Sequence, residues 1–266
     1  MSTTHLPDVT IPGRFRGPAG SGNGGYTCGS LAERVATEQH PVVEVTLRRP
    51  PPLDVAMQVD RLAADHPENR TGTDLTLLLT EGARVAEAHP VEVRLEPVRE
   101  VSPAEAAATE GTFPGLRRHP FPTCFSCGPE RAEGDGLRIF PGRVGGDRVA
   151  AVWTPHPSLA ELSDVLPPDE GQQRVGLATA WAALDCVGGW AGDLEDREMV
   201  LGRMTAVVDA LPVVGEPHVV MGGRRGAEGR KTFTASTLYD SDGRIVGLAE
   251  HVWIAVDPAA FNALAG

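Results

Sequence analysis

The sequence predicts an α+β protein made of two similar bodies, each an antiparallel sheet wrapped around one central helix. Three observations predict it. Both halves open a helical segment after glycine, at Asn23-Gly24-Gly25 and at Gly171. Both then carry four strand-like runs, of which the first and third are apolar. Polar and apolar residues alternate in several runs with the period of two of a half-buried strand, while the helices keep apolar residues on one face. One helix per sheet, repeated, is an α+β arrangement. Joining the two curved sheets edge to edge removes two exposed edges.

In chain order, residues 1–12 read as a flexible tail. The first helix is expected over Tyr26–Ala36. At 100° per residue, Cys28, Leu31, Ala32 and Val35 share a face and Glu33 points away. Val43-Glu44-Val45-Thr46-Leu47 alternates as a strand, and Pro50-Pro51-Pro52 ends it because proline cannot donate to a ladder. Runs near Val55–Leu62, Thr73–Thr80 and Arg84–Leu95 complete an N-terminal body over 13–95, with Glu81-Gly82 as a hairpin turn. Residues 96–120 form a linker broken by Pro97, Pro103 and Pro114, with a short helix at Ala104–Thr109.

The second body spans 121–258. It starts at Cys124-Phe125-Ser126-Cys127-Gly128-Pro129 and continues through strands at Leu137–Phe140 and Val149–Trp153. A proline-rich irregular segment (Pro155, Pro157, Pro167, Pro168) precedes a helix over Gln172–Asp185, whose apolar stripe is Leu177, Ala180, Trp181 and Leu184. Strands follow near Met199–Leu211, Pro217–Arg224, Lys231–Tyr239 and Arg244–Val256. The last two are joined by the turn Asp240-Ser241-Asp242-Gly243. Residues 259–266 read as a C-terminal tail.

Composition narrows the function classes. The net charge of −12 argues against a general nucleic-acid binder, which needs a basic surface. The pairs Arg48-Arg49, Arg117-Arg118 and Arg224-Arg225 are either solvated surface or local contacts to one anionic ligand. Four cysteines in 266 residues are no disulfide scaffold. Met1–Arg14 lacks a signal-peptide pattern, and no apolar stretch reaches the about 18–20 residues of a membrane span. A cytoplasmic protein with no membrane partner is expected. The single lysine, Lys231, beside abundant Ala, Arg and Val suggests a GC-rich coding sequence and says nothing of function.

The residues carry a resemblance. Asn23-Gly24-Gly25-Tyr26 followed by Val45-Thr46-Leu47-Arg48-Arg49-Pro50 resembles the first half of type II acyl-CoA thioesterases. Cys124-Phe125-Ser126-Cys127-Gly128-Pro129 with Gly136-Leu137-Arg138 is similar to the entry segment of phenylacetyl-CoA-type thioesterase relatives. Together, over most of 13–256, the chain resembles the hotdog superfamily in its double-hotdog form. That resemblance implies hydrolysis of an acyl-CoA or related thioester at the seam of two hotdog halves, without cofactor or metal, in a homo-oligomer.

The site residues follow from it. Amides of Gly24 and Gly25, beside Asn23 at the helix start, suit an oxyanion because a missing Cβ lets a ligand approach the backbone. The alternative is that they only cap and pack the helix. Asp185, at the edge of the Leu177/Trp181/Leu184 stripe, is the candidate base, matching the helix-end Asp of the type II family; partial burial would raise its pKa. Its other reading is a carboxylate closing the helix into Cys186-Val187-Gly188-Gly189. Glu33 is the rival carboxylate. Where the family has a late-strand Gln, His251 stands here. The family's hydroxyl position falls near Gly202, with Thr205 three residues on. Trp181 and Trp190 are candidates for lining an acyl groove or for ordinary core. Arg48, Arg49 and Arg203 are candidates for the nucleotide phosphates.

Cys124-x2-Cys127 has zinc spacing, but Cys28 and Cys186 stand alone in the sequence and His119 has no evident fourth ligand, so a structural turn is expected. There is no P-loop, no Gly-x-Ser-x-Gly elbow, and no Asp/His pairing of hotdog hydratases. The competing expectation is a non-catalytic hotdog module that binds an acyl thioester or lipid, which the missing hydroxyl at Gly202 favours.

Overall fold

The structure, a computed structural model, describes residues 3–160 and 172–257. Gly171, Pro167, Pro168 and the C-terminal tail lie outside the described residues. The N-terminal elements are β1 (Thr3–Thr10), α1 (Gly24–Ala32), β2 (Val43–Leu47), β3 (Ala56–Leu62), β4 (Leu75–Thr80) and β5 (Ala83–Pro90). A short α2 (Pro103–Thr109) leads to β6 (Gly142–Arg143), β7 (Arg148–Trp153) and α3 (Leu177–Ala191). Then come β8 (Met199–Val208), β9 (His218–Glu228), β10 (Lys231–Tyr239) and β11 (Ile245–Ala255). No helix among the described residues is long and apolar enough to cross a membrane.

Instead of two separate sheets, the strands form one antiparallel sheet of 11, in the order β1-β3-β4-β5-β2-β8-β11-β10-β9-β7-β6. The halves meet where β2 pairs β8, at Val43↔Ala206, Glu44↔Thr205, Val45↔Met204 and Thr46↔Arg203. Read outward from that seam, each half has the same connectivity: the strand after the long helix is central, and the next three form a meander that ends beside it. A strand preceding each helix, β1 or β7, pairs the far strand of the meander.

Residues 3–10, expected as part of a loose tail, are therefore the N-terminal counterpart of β7. Pro7 hides this, because a proline weakens a strand reading. It sits in the register shift between Leu6 and Val9, where no ladder donor is lost. Leu137–Phe140 is the opposite case. Arg138 adopts a left-handed φ of 55°, so the run is not a strand, although Leu137 and Ile139 remain buried.

Both helix boundaries shift. α1 ends at Ala32, and α3 begins at Leu177 because Arg174 and Val175 are still extended in isolated bridges. α3 then runs through Gly188-Gly189 to Ala191. These glycines permit close approach rather than termination: a Cβ at Gly188 would lie 2.7 Å from both His251 Nδ1 and Thr234 Oγ1. α1 crosses α3 through Gly25 and Gly29. A Cβ on Gly25 would meet Asp185 Cβ at 2.5 Å, and one on Gly29 would meet Ala178 Cα at 2.6 Å.

The core lies between this helix pair and one face of the sheet, with Leu31, Val45, Leu78, Leu184, Met204 and Val220 buried there. The connector after β5 is more than a spacer. Val98 and Ala106 pack on the other face, against Ala150, Met221 and Ala235. Tyr239 Oη donates to Val98 O at 2.8 Å, and Val98 N–H donates to Thr237 Oγ1 at 2.8 Å.

Candidate active site

Asp185 lies inside α3, not at its end, with a turn and a half of helix beyond it. It is buried, and its carboxylate meets the start of α1 across the helix crossing. Oδ2 accepts from Gly25 N–H at 2.9 Å and from Asn23 Nδ2 at 3.1 Å. Oδ1 has no hydrogen-bond partner among the described residues. Burial, reinforced by Cys124 nearby, pushes the carboxyl up to about 7, against the Gly25 and Asn23 donors, which favour the ionised form.

Asn23 holds this arrangement. Its Oδ1 accepts from Tyr26 N–H at 2.8 Å as the helix cap. Its amide donates to Ser126 Oγ at 3.2 Å as well as to Asp185, and Ser126 Oγ–H donates to Ala182 O of α3 at 2.8 Å. Ser126 thus ties the Cys124–Pro129 segment to both helices.

A cavity of about 300 Å³ opens at this crossing. Asp185, Asn23 and Gly24 form its polar wall, Leu201 and Trp253 contribute apolar surface, and Arg48 and Arg49 stand at its rim in the segment after β2. Gly25 N–H is consumed by Asp185, so of the two expected glycine amides only that of Gly24 has no partner among the described residues. As the first residue of α1, Gly24 has no intrahelical acceptor for its N–H. Arg48 pairs with Glu87, while Arg49 is exposed with no ion pair among the described residues.

Several expected site residues are elsewhere. His251 is buried in β11 against the Gly188 turn of α3. Its Nδ1 lies 3.2 Å from Thr234 Oγ1, and it does not line the cavity. Burial holds its pKa down to about 4, outweighing the polar contacts from Thr234 and Leu184. Thr205 and Arg203 occupy the face of β8 opposite Met204 and Ala206, which are core. There Thr205 Oγ1 donates to Glu44 Oε2 at 3.4 Å, and Arg203 Nε donates to Thr46 Oγ1 at 3.1 Å. Trp181 is core beneath α1, and Trp190 packs edge-on to Phe113 and His119; neither lines the cavity. Glu33 accepts from Ala178 N–H at 3.3 Å at the start of α3 and is also outside it. Gly202 does line the cavity, and its hydroxyl counterpart is absent.

Cys186 does not stand alone. Its Sγ is 3.5 Å from Cys124 Sγ, and both lie within 4.8 Å of Cys127 Sγ, all three in the cavity wall. Hydrogen bonds from Cys127 and Cys186 pull Cys124 down, and the same sharing, with burial, pushes the other two thiols up. Only the Cys-x2-Cys pair was visible in the sequence.

This is a hotdog fold. The chain superposes on a hot dog fold protein of unknown function from Alicyclobacillus acidocaldarius with a TM-score of 0.58 at 13% identity, covering 96% of this chain and 94% of that one. It is similar to a provisionally named thioesterase II from Thermobifida fusca, with TM-score 0.55, 16% identity and coverages of 96% and 92%. The tesB protein of Mycobacterium avium subs paratuberculosis gives 0.52 at 14% identity, with coverages of 93% and 91%. No family model and no curated protein matches the sequence.

Proposed function

We propose that this chain is a double hotdog, two units fused across β2 and β8, that hydrolyses an acyl thioester such as an acyl-CoA at their crossing. One observation carries the reading. Asp185, whose buried Oδ1 has no partner among the described residues, lines the same cavity as Gly24, whose helix-start N–H has none among them either. The acyl part packs on Leu201 and Trp253, and its carbonyl oxygen points to Gly24 N–H at the positive end of α1. Asp185 Oδ1 takes a proton from water, whose oxygen bonds to the carbonyl carbon. The tetrahedral species then expels the thiolate, which recovers the proton, and a carboxylic acid leaves. The partners of Oδ2 keep the carboxylate in place while Oδ1 works. Arg49, at the rim with no ion pair among the described residues, meets the phosphates of the thiol carrier.

A second reading has its own support. With Gly202 at the hydroxyl position and His251 outside the cavity, neither of the side chains expected to orient water beside Asp185 is in place. That favours a module that binds acyl thioesters without cleaving them. Thiol release from short, aryl and long acyl-CoA substrates separates the two. Turnover with Asp185→Asn lowering kcat at least ~100-fold supports hydrolysis. A loss under threefold removes Asp185 from the chemistry, and saturable binding without any turnover establishes the second reading.

A further inference from the structure

We propose that Cys124, Cys127 and Cys186 form a three-thiolate site for a soft divalent cation of the zinc class, with the fourth coordination position turned into the cavity. The three sulfurs lie within 4.8 Å of one another, with Cys124 and Cys186 at 3.5 Å. Zinc–sulfur bonds of about 2.3 Å in a tetrahedron place sulfurs about 3.8 Å apart, so small side-chain rotations convert this cluster into a ligand set. All three cysteines are buried, at 2%, 1% and 7% exposure.

The ligands stand on rigid elements. Cys124 and Cys127 come from one turn, closed by Gly128 N–H to Cys124 O at 2.9 Å. Gly128 is needed there, since a Cβ would lie 2.5 Å from Cys124 O. That turn is pinned to the N-terminal half by Phe125 N–H to Arg16 O at 2.7 Å. Cys186 is offered by the interior of α3.

His119 is a supporting donor here and not the fourth ligand. Its Nδ1 accepts from Phe121 N–H at 2.9 Å, so the neutral ring carries its proton on Nε2, 3.3 Å from Cys127 Sγ. A ligating imidazole needs the reverse arrangement, with its second nitrogen donating. His119 therefore lends a hydrogen bond to the Cys127 thiolate. Three protein ligands and one exchangeable position describe a site that keeps a small ligand or water on the metal.

The test uses the intact chain, reduced, freed of metal by chelator and kept anaerobic. Cobalt(II) titration is expected to give thiolate-to-metal charge-transfer absorption and strong four-coordinate visible bands saturating at one equivalent, which zinc(II) then abolishes. Cys186→Ser should lose those bands, while Cys28→Ser, a buried cysteine outside the cluster, keeps them. Zinc should also slow the alkylation of three of the four cysteines of the wild-type chain, identified by peptide mass, and leave the rate at the fully buried Cys28 unchanged, a readout that requires no variant to fold. Absence of charge-transfer bands in the wild-type chain, or their persistence in Cys186→Ser, overturns the site. A mass two hydrogens low under reducing conditions, marking a disulfide within the cluster, overturns it too. None of these readouts depends on thioester turnover.

Discussion

His251 makes the fold sensitive to acid in a way that a single substitution should remove. The buried imidazole is held down to about 4, from an ordinary value of 6.5. Between those two pH values the unfolded chain binds a proton at this residue and the folded chain does not. The contribution is thus complete above pH 6.5 and is lost as the pH falls through 4. At about 1.4 kcal/mol per pH unit, the interval is worth about 3 kcal/mol. His251→Phe keeps a ring against Gly188 and removes the titration. The Thr234 hydroxyl loses one partner but still accepts from Trp253 Nε1 at 3.1 Å, so the variant should be weaker by about 1–2 kcal/mol at pH 7.5. Urea unfolding followed by tryptophan fluorescence from pH 4.5 to 7.5 gives the difference in stability between the two proteins. Asp185 and every other titrating group is common to both and cancels. The difference should shrink steadily below pH 6.5 and reverse sign near pH 5. Parallel curves across the range would refute a buried, neutral His251.

The other predictions concern the helix crossing and the rim. Gly25→Ala forces a methyl to within 2.5 Å of Asp185 Cβ and 2.8 Å of Trp181 O, and should cost about 2–3 kcal/mol in urea unfolding. A cost under half a kcal/mol would mean that α1 and α3 cross less tightly than described. Arg49→Ala should raise KM for a coenzyme A thioester roughly tenfold and leave the matching pantetheine thioester unchanged. Arg203→Ala, on the other face of the sheet, should change neither. Equal effects of Arg49→Ala on both substrates would remove it from phosphate recognition.

Much of this protein was legible because its signals are local. Period-two runs, proline stops and the Asp-Gly turn of the last hairpin mark most strands, and their recurrence after each long helix exposes the repeated connectivity. The place of Asp185 at the edge of an apolar stripe was legible from helical phase, while its candidacy as a base came from the resemblance. Tertiary structure decided what depends on pairing over distance. β1 is a strand because the free edge of β3 lies beside it, and its proline falls in a register shift. Thr205 and Arg203 were displaced by face. Strand sides alternate residue by residue, and the register shift between Val252 and Trp253 resets which side meets the helices. Gly25 N–H donates to a carboxylate 160 residues away, a partner no local pattern reveals. Cys186 joined a Cys-x2-Cys turn from a helix whose own sequence shows a lone cysteine. Periodicity along the chain determines which residues share a face, but only the crossing of α1 and α3 determines which faces meet.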